Sequence, residues 1–304
     1  MIPIAAVIGA ATAFGIGAEH RWRASTEAIS RRLMWIVLWV LMPFVAFFNV
    51  ASLHINAHVG AGIAFGYVAS GVTILVAWLI GTRVLRLPRP SVGTLMGVSA
   101  FGNTGYLGIP FTAALLGFSQ VGNAVAYDML VSTALLITVG FSIGAGFGTV
   151  ADAPRERVAA FFLRNPPLVA TLLGLVAPAS LAPDVAVDIS RGVVIAILPI
   201  GFFAVGVTLA AEAEAGRAKF PPPLSAPVAT GVLLKLALPV AILFGLSSAF
   251  ISVPHAYLSQ AAMASGINNL VVASEYGLDR RLAAAVIAWT TVVVVAVGVV
   301  IRLL

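Results

Sequence analysis

Long apolar runs dominate this chain, and the short stretches between them carry most of its charge. Runs near 2–18, 32–53, 60–82, 92–116, 122–149, 159–181, 187–210, 225–249, 254–274 and 281–303 approach the ~20 residues that a helix needs to cross a bilayer. They predict an all-α polytopic membrane protein with ten transmembrane helices. The first run is short and rich in Ala and Gly, which suits a crossing covered by neighbours or set in a thinned bilayer. Two runs are interrupted. Within the fourth, Phe101-Gly102-Asn103-Thr104-Gly105-Tyr106-Leu107-Gly108-Ile109-Pro110-Phe111 contains three glycines, an asparagine and a proline. These are poor helix formers. Within the ninth, Met263-Ala264-Ser265-Gly266-Ile267-Asn268-Asn269 breaks the apolar pattern again. Freed backbone groups persist in a membrane only where protein or a watered cavity satisfies them. A crossing broken near its middle therefore points to a transport site. The plainer alternative is a kinked helix with small residues at its contacts.

The charged stretches alternate. The first loop carries Arg21, Arg23 and Arg31, the third Arg83, Arg86 and Arg89, and the fifth Arg155, Arg157 and Arg164. The seventh carries Arg217 and Lys219, and the ninth Arg280 and Arg281. The second, fourth and eighth have no Lys or Arg; the sixth has Arg191 at its boundary, beside Asp184 and Asp188. The positive-inside rule then predicts cytoplasmic odd loops and both termini outside, in a multi-pass protein of the bacterial inner membrane. Asn165-Pro166-Pro167 opens the sixth run, since proline suits a helix start. Halves of 1–150 and 151–304 would hold five crossings each. An odd number inverts the second half relative to the first, a plan used by secondary transporters. Pro43 and Pro199 match under this division, as do Asn103 and Asn268.

Composition narrows the function. Of 304 residues, 61% are hydrophobic and 9% charged, against roughly 25% charged in soluble domains. The net charge of +6 is scattered over loops, so it reads as topology rather than as a nucleic-acid patch. Without cysteine there are no disulfides, thiolate metal sites or thiol catalysis. His20, His54, His58 and His255 lie near membrane boundaries, and no phosphate loop, HExxH or Gly-x-Ser-x-Gly pattern occurs. An enzyme is not expected, nor a cofactor or metal.

The candidate substrate-binding residues are Asn103, Thr104, Gly105, Tyr106, Pro110, Gly266, Asn268 and Asn269. Amides and hydroxyls donate and accept, glycines admit close approach, and Pro110 frees a carbonyl. If both broken helices cross near the midplane, half-helix N-termini favour an anion and exposed carbonyls a cation. Ionisable residues in or beside crossings are candidates for coupling or charge pairing: Asp128, Lys235, His255 and Glu275. Each has a bland alternative. Asp128 and His255 stand near a boundary, Lys235 can snorkel, and Glu275 fits a solvated turn.

These motifs resemble the auxin efflux carrier family of membrane transporters in its short bacterial form. The resemblance rests on Gly102 through Pro110, Asn165-Pro166-Pro167, Pro199 through Leu209, Lys235 with Pro239, and Ala261 through Asp279. It implies two inverted five-helix repeats, related to the bile acid sodium symporter fold, with helices 4 and 9 broken and crossing at the site. It further implies an elevator-like cycle and a small organic anion, auxin-like or a carboxylate, as substrate. Sodium or a proton is the expected coupling ion, lipid surrounds the protein, and a homodimer fits. At the ninth crossing Ala264-Ser265-Gly266 stands where the family often has a proline. A gated channel for small solutes and a non-transporting ligand sensor are the alternative functions.

Overall fold

The computed structural model describes residues 2–53, 56–149, 166–214 and 222–303. The regular elements among them are helices. They are α1 (Ile2–Trp22), α2 (Ala24–Ala51), α3 (Ala57–Val84), α4 (Arg89–Ala100), α5 (Thr104–Leu116) and α6 (Phe118–Phe147). The chain continues with α7 (Pro166–Val176), α8 (Asp184–Glu214), α9 (Ala226–Ala249), α10 (His255–Ala261), α11 (Asn268–Tyr276) and α12 (Arg280–Leu303). Six of them, α2, α3, α6, α8, α9 and α12, are long and apolar enough to cross a membrane, and α5 and α7 are shorter apolar helices. His54, Arg155, Arg157, Arg164, Asn165, Arg217, Lys219 and the start of the sixth expected crossing lie outside the described residues.

Most boundaries fall close to the expected ones, but the first loop does not. Residues 19–31 are largely helical: α1 continues to Trp22 and α2 starts at Ala24. The reversal is confined to Arg23, whose φ of 32° is unusual outside glycine. Thr26 holds it by donating its hydroxyl to Ala18 O at 2.9 Å. Hydropathy marks residues 19–31 as polar, and polarity cannot separate a loop from the wet end of a helix. Pro199 likewise leaves α8 a single helix.

Small residues set the helix contacts. α1 packs along α8, α7 along α2, and α3 along α9. A Cβ on Gly206 of α8 would run into Thr12 O of α1, and one on Gly15 into Phe203 O. On Gly174 of α7 it would lie 2.9 Å from Phe47 O of α2. Helices in lipid associate through such close backbone packing. Gly206→Ala is therefore expected to lower the thermal midpoint in detergent, since overpacking costs about 1–3 kcal/mol. Gly192→Ala in the same helix, with no atom near the added methyl, should leave it unchanged or raise it. Asn49 of α2 is structural: its Nδ2 donates to Ser190 Oγ of α8 at 2.8 Å and to Val45 O at 2.9 Å.

Candidate functional site

The two interrupted apolar runs meet at their breaks. α4 stops at Ala100, and Phe101 turns extended at φ −94°, ψ 112°. Gly102 then pairs with Ser265 in an antiparallel bridge. Asn103 N–H donates to Ala264 O at 2.7 Å, and Gly266 N–H donates to Phe101 O at 2.9 Å. Groups freed by one break thus satisfy those freed by the other, as the absence of water in a bilayer core demands. Side chains complete the junction. Asn269 Nδ2 donates toward Phe101 O at 3.0 Å, Gly266 O at 2.9 Å and Ser265 Oγ at 3.2 Å. Ser265 N–H donates to Thr290 Oγ1 of α12 at 3.0 Å. A side chain at Gly266 would force the two breaks apart, since a Cβ there would stand 2.8 Å from Gly102 O.

Each break restarts as a helix whose first turn lines one cavity. α5 is capped by Asn103, whose Oδ1 accepts from Leu107 N–H at 3.3 Å. Its opening residues, Thr104–Gly108, are wound as a wider π-turn, a feature frequent at functional sites. The cavity, about 260 Å³, is lined by Asn103, Thr104, Gly105 and Tyr106 on one side and by Gly266, Asn268 and Asn269 on the other. Its remaining wall is largely apolar and includes Met42, Leu136, Phe141 and Val272.

Asp128 of α6 supplies the carboxylate in this wall, and it too begins a π-helical stretch, Asp128–Thr133. It is 4% exposed and accepts a hydrogen bond from the Thr104 hydroxyl. Gly105 permits the approach, since a Cβ there would sit 3.1 Å from Asp128 Oδ2. The boundary position considered for Asp128 in the sequence does not describe it. It is buried beside the first turn of α5.

The other candidates fall elsewhere. Pro110 is buried further along α5, off the cavity wall. Lys235 is buried on α9 and donates to Ala261 O at 3.2 Å, also outside the cavity. His255 begins α10 and Glu275 lies in the last turn of α11; both are exposed. The nearby Asp279 caps α12: its Oδ1 accepts from Leu282 N–H at 3.0 Å and its Oδ2 from Ser91 Oγ at 2.7 Å. The bridge is locally symmetric, with one backbone bond on either side of Gly102 and Ser265. Ser132 and Thr133 line the cavity and were not anticipated. The signal that could have found them is their spacing one turn beyond Asp128 on an otherwise apolar helix.

A family model described as membrane transport protein matches residues 1–151 and 156–302. The chain belongs to this family. The match agrees with the auxin efflux carrier resemblance carried by the motifs. An uncharacterized transporter of Methanocaldococcus jannaschii is 30% identical over 147 residues, covering 46% of each chain. The match thus spans about half the length of this relative. The protein is a multi-pass membrane protein of a transport family.

Proposed function

We propose that this protein is a secondary transporter that moves a small organic anion, binding it where α4–α5 and α10–α11 cross. The observation that carries this reading is the shared cavity at the first turns of α5 and α11. Helix N-termini carry the positive end of the dipole, which favours an anion. The cavity volume of about 260 Å³ suits a small solute, being near the lower end of the roughly 300–1,000 Å³ usual for ligand pockets.

Eight continuous helices and two broken ones make ten crossings in this reading. The halves 1–150 and 151–304 form inverted repeats, supported by reciprocal packing: α1 lies on α8, α7 on α2, and α3 on α9. An elevator-like cycle follows, with the crossover elements moving against a frame of α1, α2, α7 and α8. The basic loops place the start of α4 and the end of α11 in the cytoplasm and both termini outside, in the bacterial inner membrane. From Asp128 the cavity follows α6 past Thr133, Leu136 and Phe141, toward that basic face. In this reading the cavity faces the cytoplasm. Asp128 is the proposed proton-coupling group.

The test is transport by purified protein in liposomes, with auxin-like acids and dicarboxylates as candidate solutes. Saturable uptake with counterflow is expected. Asn103→Ala should lower uptake about 10-fold or more, the scale of one hydrogen bond to a charged group. Rapid flux without counterflow would indicate a channel, and binding without flux a sensor.

A further inference from the structure

Arg32 opens the apolar run 32–53 within α2. α2 packs against α1, α6, α7 and α8, and it leaves one face uncovered. On that face Ile29, Trp35, Ile36, Trp39 and Val40 are exposed. Arg32 is exposed among them, one turn after Ile29 and one turn before Trp35 and Ile36. Within the π-turn Val37–Leu41, Val37 is buried while Trp39 and Val40 are exposed. The indoles of Trp35 and Trp39 stack with their centroids 6.1 Å apart and their planes 16° off parallel. Neighbouring arginines are engaged: Arg23 pairs with Glu214 at 2.8 Å and Arg31 with Glu27 at 3.4 Å. Among the described residues the Arg32 guanidinium has no acidic partner. The same holds for Arg21, in the last turn of α1.

An arginine at the edge of the hydrocarbon meets either water or a lipid phosphate. Here the side chains one turn away on both sides are apolar, and tryptophans favour the interfacial level of a bilayer. Acyl chains therefore cover the ground around Arg32, and the polar groups above such chains are headgroup phosphates. The planar guanidinium fork matches two phosphate oxygens. We propose that this face of α2 binds one anionic glycerophospholipid, with its phosphate on Arg32 and its acyl chains along Trp35, Ile36 and Trp39. Charge selects the headgroup. A choline headgroup would bring its own ammonium to an end of the α1–α2 pair that already holds Arg21, Arg23, Arg31 and Arg32. Glu214 and Glu27 offset two of these charges, and the third carboxylate at this end, Glu19, is buried. A glycerol headgroup adds no cation and leaves the phosphate charge for Arg32. The inference requires that α2 cross the membrane and does not depend on the transported solute.

The experiment is tryptophan fluorescence of the purified protein in phosphatidylcholine bilayers, titrated with phosphatidylglycerol or phosphatidylcholine carrying brominated chains. Bromine quenches an indole that the chain touches. The wild type is expected to be quenched at about 5-fold lower mole fraction of the brominated phosphatidylglycerol, the scale of one arginine at an anionic surface. Arg32→Gln should remove that preference; the side chain is exposed, so the fold should survive its loss. Replacing Trp35 and Trp39 together by Phe should remove the selective quenching and leave the signal of the other tryptophans. Arg86→Gln, at an exposed arginine before α4, should keep the preference. Excess inorganic phosphate at matched ionic strength should not displace the lipid. Equal quenching of the wild type by the two lipids would overturn the proposal, as would a preference unchanged in Arg32→Gln or in the double Trp variant. Loss of the preference in Arg86→Gln would reduce it to bulk surface attraction and also overturn the site. Displacement by phosphate would mark a soluble-anion site and reject the lipid. A negative counterflow result would reject the transported-anion reading and leave this one standing.

Discussion

Gly266→Ala is expected to reduce transport by about 100-fold, the scale on which a misplacement of ~1 Å disables a positioned site. The added methyl would stand 2.8 Å from Gly102 O, 3.1 Å from Gly102 C and 3.4 Å from Asn103 N. All three are backbone atoms, so no rotamer change relieves the clash. The breaks must move apart, which stretches the Asn103-to-Ala264 and Gly266-to-Phe101 hydrogen bonds. Each is worth about 0.5–1.5 kcal/mol net, and more where no water can replace it. The thermal midpoint should therefore fall with activity. Gly71→Ala and Gly245→Ala are the controls, because a methyl there meets no atom within 4 Å. Both should transport normally. If Gly266→Ala retains wild-type counterflow, the junction of the breaks is not the moving or binding element.

The reason this glycine matters was visible in the sequence only in part. Gly, Asn and Pro in the middle of an apolar run announce a break, and both breaks are where the residues place them. What local sequence does not contain is the pairing. Nothing in Ala264-Ser265-Gly266 states that its partner is Phe101-Gly102-Asn103, nor that Asn269 rather than its neighbour donates at the junction. The basic loops separate the apolar runs, yet the helical course of residues 19–31 was hidden because charge at a helix end and charge in a loop look alike. Lys235 shows a similar limit. Its place within an apolar run was legible but its burial was not, since a lysine there can snorkel, and its acceptor, Ala261 O, is 26 residues away on another helix. Sequence periodicity places residues on faces; which faces meet is decided by packing among all the helices at once.

At pH values where the wild-type carboxyl is ionised, Asp128→Asn is expected to raise the affinity for a small organic anion by about 100-fold, and it should remove the dependence of binding on pH. Asp128 lies in the cavity wall, hydrogen bonded by Thr104 at the first turn of α5. A solute carboxylate held by the same helix end would come within about 5 Å of it. Two unit charges at that distance repel by about 3 kcal/mol at an effective dielectric constant of 20. Binding to the wild type therefore favours the protonated carboxyl, and by linkage the anion brings a proton with it. The sign follows directly. Wild-type affinity should fall as pH rises through the range in which the carboxyl ionises, and the variant should hold one affinity throughout. At low pH the two proteins should converge. Tyr106, in the same wall, remains in both proteins and cancels in the comparison. Binding of the same carboxylates, followed by calorimetry across pH, measures all three features. Transport should separate from binding in the variant: counterflow continues, while uphill uptake driven by a proton gradient is lost. If Asp128→Asn instead abolishes binding at every pH, the carboxylate faces a cationic group of the solute, and the substrate is not an anion.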